Sequence, residues 1–143
     1  MVELSYQDRV RPEWIDYNGH LSEPYYVLVF GDATTYLMDV VGLGPEYRAE
    51  TGASLYTVEA HVRYLREVGP DVELDVTTSV LDVGAKKVRL CHEMRVAGDL
   101  VATEEILALH VSGSRASPFP EDVAERLREH LSPVPDYAGR AIA

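Results

Sequence analysis

The chain has 143 residues, which is the length of one ordinary domain. Acidic residues outnumber basic ones 24 to 13, and the net charge of -11 disfavours sequence-independent binding to nucleic acid or anionic lipid. There is one cysteine, Cys91, so no internal disulfide can form, and the sequence contains neither a signal-peptide pattern nor an apolar run of membrane-span length. We therefore expect a cytoplasmic protein with no nucleic-acid or membrane partner.

The first predicted elements are a strand, a loop and a strongly apolar helix. Leu4–Arg11 is predicted to form a short strand, and Pro12–Leu21 a loop rich in turn-forming residues. Ser22 or Glu23 then caps a helix over Pro24–Val41, whose leading proline suits a first turn because its missing N–H would be unpaired there. Apolar residues occupy most of the circumference of this helix, which predicts burial on nearly all sides. Gly42 and Gly44 follow and are predicted to end it.

From Ser54 onward the apolar period is two, which predicts four consecutive strands joined by short glycine-containing turns. The residues predicted to share a face within each strand are Tyr56, Val58, Ala60, Val62 and Tyr64; Val72, Leu74, Val76, Thr78 and Val80; Val88, Leu90, His92, Met94 and Val96; and Val101, Thr103, Glu105, Leu107, Leu109 and Val111. Glu105 interrupts the last of these otherwise apolar faces. Pro120–Leu131 has the pattern of an amphipathic helix, and we expect the tail after it to fray or to lie on a neighbouring molecule. One strand, one buried helix and four strands predict an α+β domain whose sheet folds round the helix.

One segment resembles a known family. Asp16-x-x-Gly19-His20, followed by Tyr26 and Phe30, resembles the 4-hydroxybenzoyl-CoA thioesterase family, and the phrases PEWIDYNGHL and YTVEAHVRYL are similar to a branch that includes betainyl-CoA thioesterases. The resemblance implies a hotdog fold, in which a curled antiparallel sheet wraps around a central buried helix. It also implies a single hotdog thioesterase domain over residues 1–143, with a core of about 4–113 and a C-terminal helix and tail over 118–143.

The resemblance implies three catalytic candidates, which are Asp16, His20 and Glu23. Asp16 falls where the family keeps a carboxylate that attacks the thioester carbonyl or acts as base for a water. The backbone N–H of Glu23 falls where the family polarises the carbonyl oxygen, and unpaired amides at a helix start favour a developing oxyanion on physical grounds alone. Asp16 alone is equally suited to an Asx turn, and His20 to a hydrogen bond that orders the loop. Many relatives have asparagines after the histidine, whereas this chain has Ser22 and Glu23.

Further residues are candidates for contacts with the substrate. The substrate-binding candidates are Trp14, Tyr17, Asn18, Tyr26, Tyr56 and Glu59. Aromatic faces bind quaternary ammonium groups, and an acidic chain attracts cations. Both features would suit a cationic acyl group. Lys86 and Lys87 are candidates for the CoA phosphates, although they would equally suit a hairpin tip, and Glu59 would equally suit a solvated or interface face. We expect no metal, and no cofactor other than the coenzyme A of the substrate.

The resemblance implies a homodimer or a homotetramer. Pairing of two copies through Ser54–Val68 would cover an exposed strand edge and bring Asp16 close to the neighbouring subunit. The leading hypothesis is hydrolysis of an acyl-CoA thioester. A hydratase that adds water to an enoyl thioester is an alternative, since Asp16-x-Asn18-x-His20 faintly matches its motif, and a non-catalytic acyl-CoA-binding module is a second alternative.

Overall fold

The computed structural model describes residues 4–142 and contains one antiparallel sheet with three helices. The strands are β1 (Ser5–Arg9), β2 (Ser54–Tyr64), β3 (Glu73–Val83), β4 (Lys87–Val96), β5 (Asp99–Ser112) and β6 (Arg115–Ala116). The helices are α1 (Glu23–Val41), α2 (Pro45–Thr51) and α3 (Glu121–Glu129), and Pro12–Trp14 forms a 3₁₀ turn before α1. This order confirms the predicted α+β plan.

The strand order across the sheet is β1-β3-β4-β5-β2, and β6 pairs with the last residues of β5. β2 therefore forms one edge of the sheet, and its pairing within residues 4–142 is with β5 alone. A two-residue turn joins β4 to β5, and Ala97 and Gly98 both have positive φ there, as tight hairpins with the right-handed strand twist require. Short connections thus join β3, β4 and β5 as neighbours, as the sequence predicted, whereas β2 crosses to the far side of β5 and is not a neighbour of β3.

α1 lies against the concave face of the sheet, but only one side of it is buried. Its buried stripe consists of Tyr26, Val29, Phe30, Ala33, Thr34, Leu37 and Val41. The predicted burial on nearly all sides is wrong, because Val27 and Leu28 are 40% and 46% exposed. The curl of the sheet covers the helix from one side and leaves the other bare. Gly42 ends α1 with a φ of +91°, as predicted, whereas Gly44 has a negative φ and begins α2.

Two features of the chain were not anticipated. The helix α2 is too short and too polar to give a periodic signal. Among residues 4–142 no single helix is long and apolar enough to cross a membrane, and α1 and α2 reach that length only as a pair that is bent by 66°. The tail after α3 does not fray along its whole length, because Tyr137 donates a 2.6 Å hydrogen bond to Glu93 and the Gly139 N–H donates one of 2.7 Å to Glu105. The tail therefore packs on the convex face of its own sheet.

The register shows which side chains of β5 face α1. His92 of β4 lies within hydrogen-bond distance of Thr34 in α1, and His92 pairs directly with Glu104 of β5. Side chains of directly paired residues share a face, so Glu104 faces α1 and its neighbour Glu105 faces away. The face of β5 predicted from its apolar residues is thus the convex one, which the tail covers.

Candidate active site

The loop before α1 is a tight hairpin held by hydrogen bonds within its own backbone. Ile15 and Leu21 form an antiparallel bridge. Within it the Asp16 N–H donates to the His20 carbonyl at 2.9 Å, and the Gly19 N–H donates to the Asp16 carbonyl at 2.9 Å. Gly19 has a φ of +81°, a conformation that other residues adopt only with strain. The backbone thus fixes the position of Asp16 before any ligand binds.

The two carboxylate oxygens of Asp16 have different surroundings. Oδ1 accepts the Asn18 N–H at 2.9 Å and, more weakly, the His20 N–H at 3.4 Å. Oδ2 has no hydrogen-bond donor within residues 4–142. The Asx turn and the catalytic interpretation are therefore compatible, because one oxygen holds the side chain in place while the other is left for substrate or water.

One backbone amide at the start of α1 is unpaired. The Ser22 N–H donates to the Trp14 carbonyl at 2.9 Å, Pro24 has no N–H, and the Tyr25 N–H donates to the Ser22 carbonyl at 3.0 Å. The Glu23 N–H has no acceptor in the described part of the chain. Since the positive end of the helix dipole lies at the same place, this amide is suited to hold an anionic or polarised oxygen.

Asp16 and Glu23 line the same cleft. Its volume is about 440 Å³, and its lining is completed by His20, Leu21, Tyr26, Tyr64, Leu65, Arg66 and Glu67. One wall is the hairpin and the first turn of α1, and the other is the end of β2 with the segment after it. Asp16 and Glu23 thus border one open space on the protein.

His20 contacts the opposite wall of the cleft. Its Nε2 lies 3.0 Å from Oε2 of Glu67, in the segment after β2. This contact ties the hairpin to that segment, as expected for a histidine that orders a loop. The hydratase alternative needs His20 to work with Asp16 on one substrate, and the contact with Glu67 does not support it.

Two tyrosines on neighbouring elements line the cleft. The rings of Tyr26 and Tyr64 meet edge to face with centroids 5.1 Å apart, and the Tyr26 hydroxyl donates to the Arg66 carbonyl at 3.3 Å. Burial raises the pKa of both hydroxyls above the usual value near 10, so both rings stay neutral at physiological pH. Sequence reasoning identified Tyr26 but missed Tyr64, although its position on β2 was a visible signal.

The other aromatic candidates near the loop lie outside the cleft. Trp14 is buried, stacks on Tyr25 at 5.5 Å and carries the Arg11 guanidinium 5.0 Å above its ring, so it packs the base of the hairpin. Tyr17 is 98% exposed at the hairpin tip. Asn18 is exposed beside it and contributes its backbone N–H to the Asp16 turn. A role in substrate binding is unsupported for all three within one chain.

Tyr56 and Glu59 both face away from the cleft, Tyr56 because of a β-bulge and Glu59 by the ordinary alternation of β2. The pairing of β2 with β5 skips Val58, so Tyr56 lies opposite Leu109 and Glu59 opposite Leu107. Both side chains are therefore on the convex side, whereas the sequence placed Tyr56 on the face of Val62. Glu59 lines a separate cavity of about 320 Å³ together with His61, Arg89, Glu105 and tail residues.

Lys86 and Lys87 lie at the far end of the sheet from the cleft. Lys87 pairs with Leu109, whose partner on its other side is Tyr56, while the cleft begins eight residues further along β2 at Tyr64. At about 3.3 Å per residue this separation is roughly 26 Å, so the lysine pair and Asp16 cannot form one compact site within a single chain.

No group of three or more metal-binding side chains is assembled within residues 4–142. The expectation of no metal remains a prediction.

Fold and cleft together define a class of protein. A curled antiparallel sheet around one helix, with a carboxylate hairpin at the helix start, is the architecture of hotdog-fold thioesterases. A structure from Staphylococcus aureus solved in complex with CoA has the same fold, with a TM-score of 0.91 and 24% identity over 100% of this chain and 97% of that one. A putative thioesterase from Pseudomonas putida KT2440 has a TM-score of 0.86 and 34% identity over 100% and 97%.

The sequence comparisons identify the same class of protein as the structural ones. The model of the Thioesterase-like superfamily matches residues 10–127. The betainyl-CoA thioesterase of Pseudomonas aeruginosa is 37% identical over 99% of this chain and 94% of its own length. The L-carnitine dehydrogenase/betainyl-CoA thioesterase of Agrobacterium fabrum is 40% identical over 96% of this chain, which corresponds to 30% of that longer protein. The chain belongs to the Thioesterase-like superfamily and is an acyl-CoA thioesterase with the predicted hotdog fold.

Proposed function

We propose that this protein hydrolyses betainyl-CoA, or another short acyl-CoA, in the cleft formed by the Asp16 hairpin and the start of α1. The observation that carries the proposal is the pair of unoccupied groups in that cleft. Oδ2 of Asp16 has no donor and the Glu23 N–H has no acceptor within residues 4–142. Thioester hydrolysis requires a carboxylate that acts as nucleophile or base and a hydrogen-bond donor that polarises the carbonyl.

In the proposed mechanism the thioester carbonyl oxygen accepts the hydrogen bond of the Glu23 N–H. Negative charge grows on that oxygen during attack, and one such donor typically lowers the barrier by about 3 kcal/mol. Asp16 either attacks the carbonyl carbon to give a mixed anhydride, which water then hydrolyses, or takes a proton from an attacking water. Both routes expel the CoA thiolate and need Asp16 ionised. His20 holds the hairpin through Glu67 in either route.

The proposed acyl group follows from the relatives and from the chemistry of the cleft. The relative from Pseudomonas aeruginosa is named for betainyl-CoA, whose acyl group carries a quaternary ammonium. Tyr26 and Tyr64 line the cleft with aromatic rings, and aromatic surface attracts quaternary ammonium groups. The acidity of the chain favours a cationic acyl group for the same electrostatic reason.

The proposed assembly is a homodimer, or a homotetramer built from it, that forms through β2. The edge of β2 away from β5 has no partner within residues 4–142, and the side chains of Tyr56, Val58 and Tyr64 on this strand are about half exposed. Antiparallel pairing of two β2 edges would place the start of one strand beside the end of the other. Lys86 and Lys87 of one subunit would then lie near the cleft of its partner, where they can bind the CoA phosphates. A cytoplasmic location is part of the same proposal.

Release of free thiol from a panel of acyl-CoAs tests the proposal. We expect wild-type protein to release thiol and Asp16→Asn to lose at least about 100-fold in kcat, since general-base catalysis contributes about 10² to 10⁴. The substitution keeps an oxygen at Oδ1, so the turn to Asn18 and hence the fold should persist. Asp122→Asn, on the exposed surface of α3, is the matched control and should keep full activity. Consumption of an enoyl-CoA without thiol release would contradict the proposal and favour the hydratase.

A further inference from the structure

A buried carboxylate outside the proposed catalytic pair has no role in the mechanism above. Glu104 of β5 is 5% exposed and lies on the concave face of the sheet, under α1. Its direct cross-strand neighbours are Val62 of β2 and His92 of β4. Glutamate is almost never this deeply buried unless it is paired, so this position needs an explanation.

Glu104 differs from the two buried histidines, His92 and His110, which have hydrogen-bond partners for both ring nitrogens. His92 lies 2.8 Å from the Thr34 hydroxyl and 2.7 Å from that of Thr78, and His110 is bonded just as fully. No hydrogen bond or ion pair reaches the carboxylate of Glu104 within residues 4–142. Yet every fully buried side-chain nitrogen and oxygen in that range has a hydrogen-bond partner. The carboxylate of Glu104 must therefore keep contact with accessible space.

Glu104 lies beside Tyr64, one of the residues that line the active-site cleft. Tyr64 pairs with Ala102 and Val62 pairs with Glu104, so Tyr64 and Glu104 are diagonal neighbours on the concave face, about 7 Å apart. After burial, the charges of Glu23 and Glu104 are what raise the pKa of Tyr64, which shows that both carboxylates are close to it. Tyr64 lines the cleft of Asp16, and Glu104 is its diagonal neighbour on the same face of the sheet.

The ionisable groups that surround Glu104 supply no positive charge. His92 is the neighbour from β4, and burial lowers its pKa to about 4, so it is neutral at physiological pH. Val62 and Tyr64 are the direct and diagonal neighbours from β2, and Glu23 of α1 acts on the same Tyr64, and none of the three can be cationic. Burial alone raises the pKa of Glu104 to about 7. A cation that bound beside it would restore the ionised form and gain a strong, poorly screened attraction.

We propose that Glu104 is the specificity-determining residue of this thioesterase and binds the cationic head of the acyl group. The proposal rests on the thioesterase activity proposed above and names what that site selects. A quaternary ammonium is the chemistry that fits, because it carries a full charge and no N–H donors. Such a head needs a carboxylate and aromatic surface, which Glu104 and Tyr64 provide together. The carbonyl of the same acyl group would lie toward Asp16 and the Glu23 amide.

Two acyl-CoAs of almost identical shape test the proposal. Betainyl-CoA and 3,3-dimethylbutyryl-CoA differ in one atom, a charged nitrogen in place of a carbon. We would measure kcat/KM for both with wild type, Glu104→Gln and Glu105→Gln. We expect wild type to prefer betainyl-CoA and Glu104→Gln to reduce that preference at least tenfold. Glu105→Gln removes the same group from the opposite face and should leave the preference unchanged.

A binding measurement separates recognition from chemistry. The Asp16→Asn variant should hydrolyse its substrate slowly enough for a binding measurement. In this background we expect the added Glu104→Gln change to weaken the binding of betainyl-CoA at least tenfold by calorimetry. If Glu104→Gln does not fold, as judged by circular dichroism, Glu104→Asp keeps the charge and should retain part of the preference.

Two results with the variants would overturn the inference. These are an unchanged preference in Glu104→Gln, whether or not both rates fall equally, and a complete loss of preference in Glu104→Asp. Equal rates of wild type on the two substrates would also overturn it while leaving the thioesterase function intact. Thiol release from no acyl-CoA at all would instead refute the proposed function.

Discussion

The buried pair His92 and Glu104 predicts an unusual pH dependence of stability. Burial lowers the pKa of His92 from 6.5 to about 4. The unfolded chain therefore binds a proton in this interval that the folded chain does not, and the free energy of unfolding rises with pH. Burial raises the pKa of Glu104 from 4.5 to about 7, so the folded chain binds the extra proton and stability falls with pH.

The two effects should offset each other in the wild type. Each pKa shift of one unit corresponds to about 1.4 kcal/mol, so each residue contributes a change of roughly 3 kcal/mol over its interval. The intervals overlap between pH 4.5 and 6.5, where the slopes have opposite signs. Glu104→Gln removes only the falling contribution. We therefore expect this variant to gain about 3 kcal/mol relative to wild type as the pH rises from 4.5 to 7.

Urea unfolding at a series of pH values measures this difference at one fixed protein concentration, because assembly would otherwise alter the apparent stability. Glu105→Gln is a control of opposite sign. Burial raises the pKa of Glu105, but hydrogen bonds from the Gly139 N–H and Arg89 and the charge of Arg89 lower it, and the net effect is a lowered pKa. Glu105→Gln should therefore lose stability relative to wild type as the pH rises through the acid range. A difference between Glu104→Gln and wild type that does not change with pH would refute the reasoning.

Three further predictions concern packing, the tail and the β2 edge. Leu37→Ala should lower the free energy of unfolding by about 3 kcal/mol in urea titrations, since Leu37 is fully buried in α1. Tyr137→Phe removes the hydroxyl that bonds Glu93, so the tail should open more often and a thiol reagent should label the buried Cys91 faster. Val58→Asp should convert the proposed dimer to a monomer by light scattering, with loss of thioesterase activity and little loss of fold.

Each of these predictions can fail independently. A loss below about 1 kcal/mol for Leu37→Ala would show that the core around α1 collapses to fill the cavity. Unchanged labelling of Cys91 in Tyr137→Phe would show that the ring, and not its hydroxyl, holds the tail. A fully active monomer of Val58→Asp would rule out a site shared between subunits.

The elements that could be predicted from the sequence are those with a repeated local signal. α1 and the four long strands carry apolar periods of 3.6 and two over ten or more residues, and their order alone defines the α+β plan. The Asp16 hairpin could be located because turn-forming residues stand directly before a helix start. α2 has seven residues and no apolar face, so no periodicity identified it.

The positions of Tyr56 and Lys87 depend on pairing, which leaves no local signal. A single bulge at Val58 reverses the facing of every β2 residue before it, and so moves Tyr56 to the convex side. Lys87 is distant from Asp16 because of the register between β4, β5 and β2. Both positions are set by the long-range register between strands, which alternation along one strand does not reveal.

Glu104 and Glu105 show how much depends on that register. They are adjacent glutamates, and the sequence analysis predicted a function for neither of them. The tail covers the convex face of β5, so both of its faces have an apolar pattern and periodicity cannot choose between them. The choice is made at the β4–β5 hairpin, where the two-residue turn and a register shift at Met94 set His92 opposite Glu104. A slip of one residue there would exchange the two acids, placing the paired one on the concave face and the unpaired one on the convex face under the tail. The specificity proposed for this enzyme is therefore encoded by the geometry of that hairpin as much as by the glutamate itself.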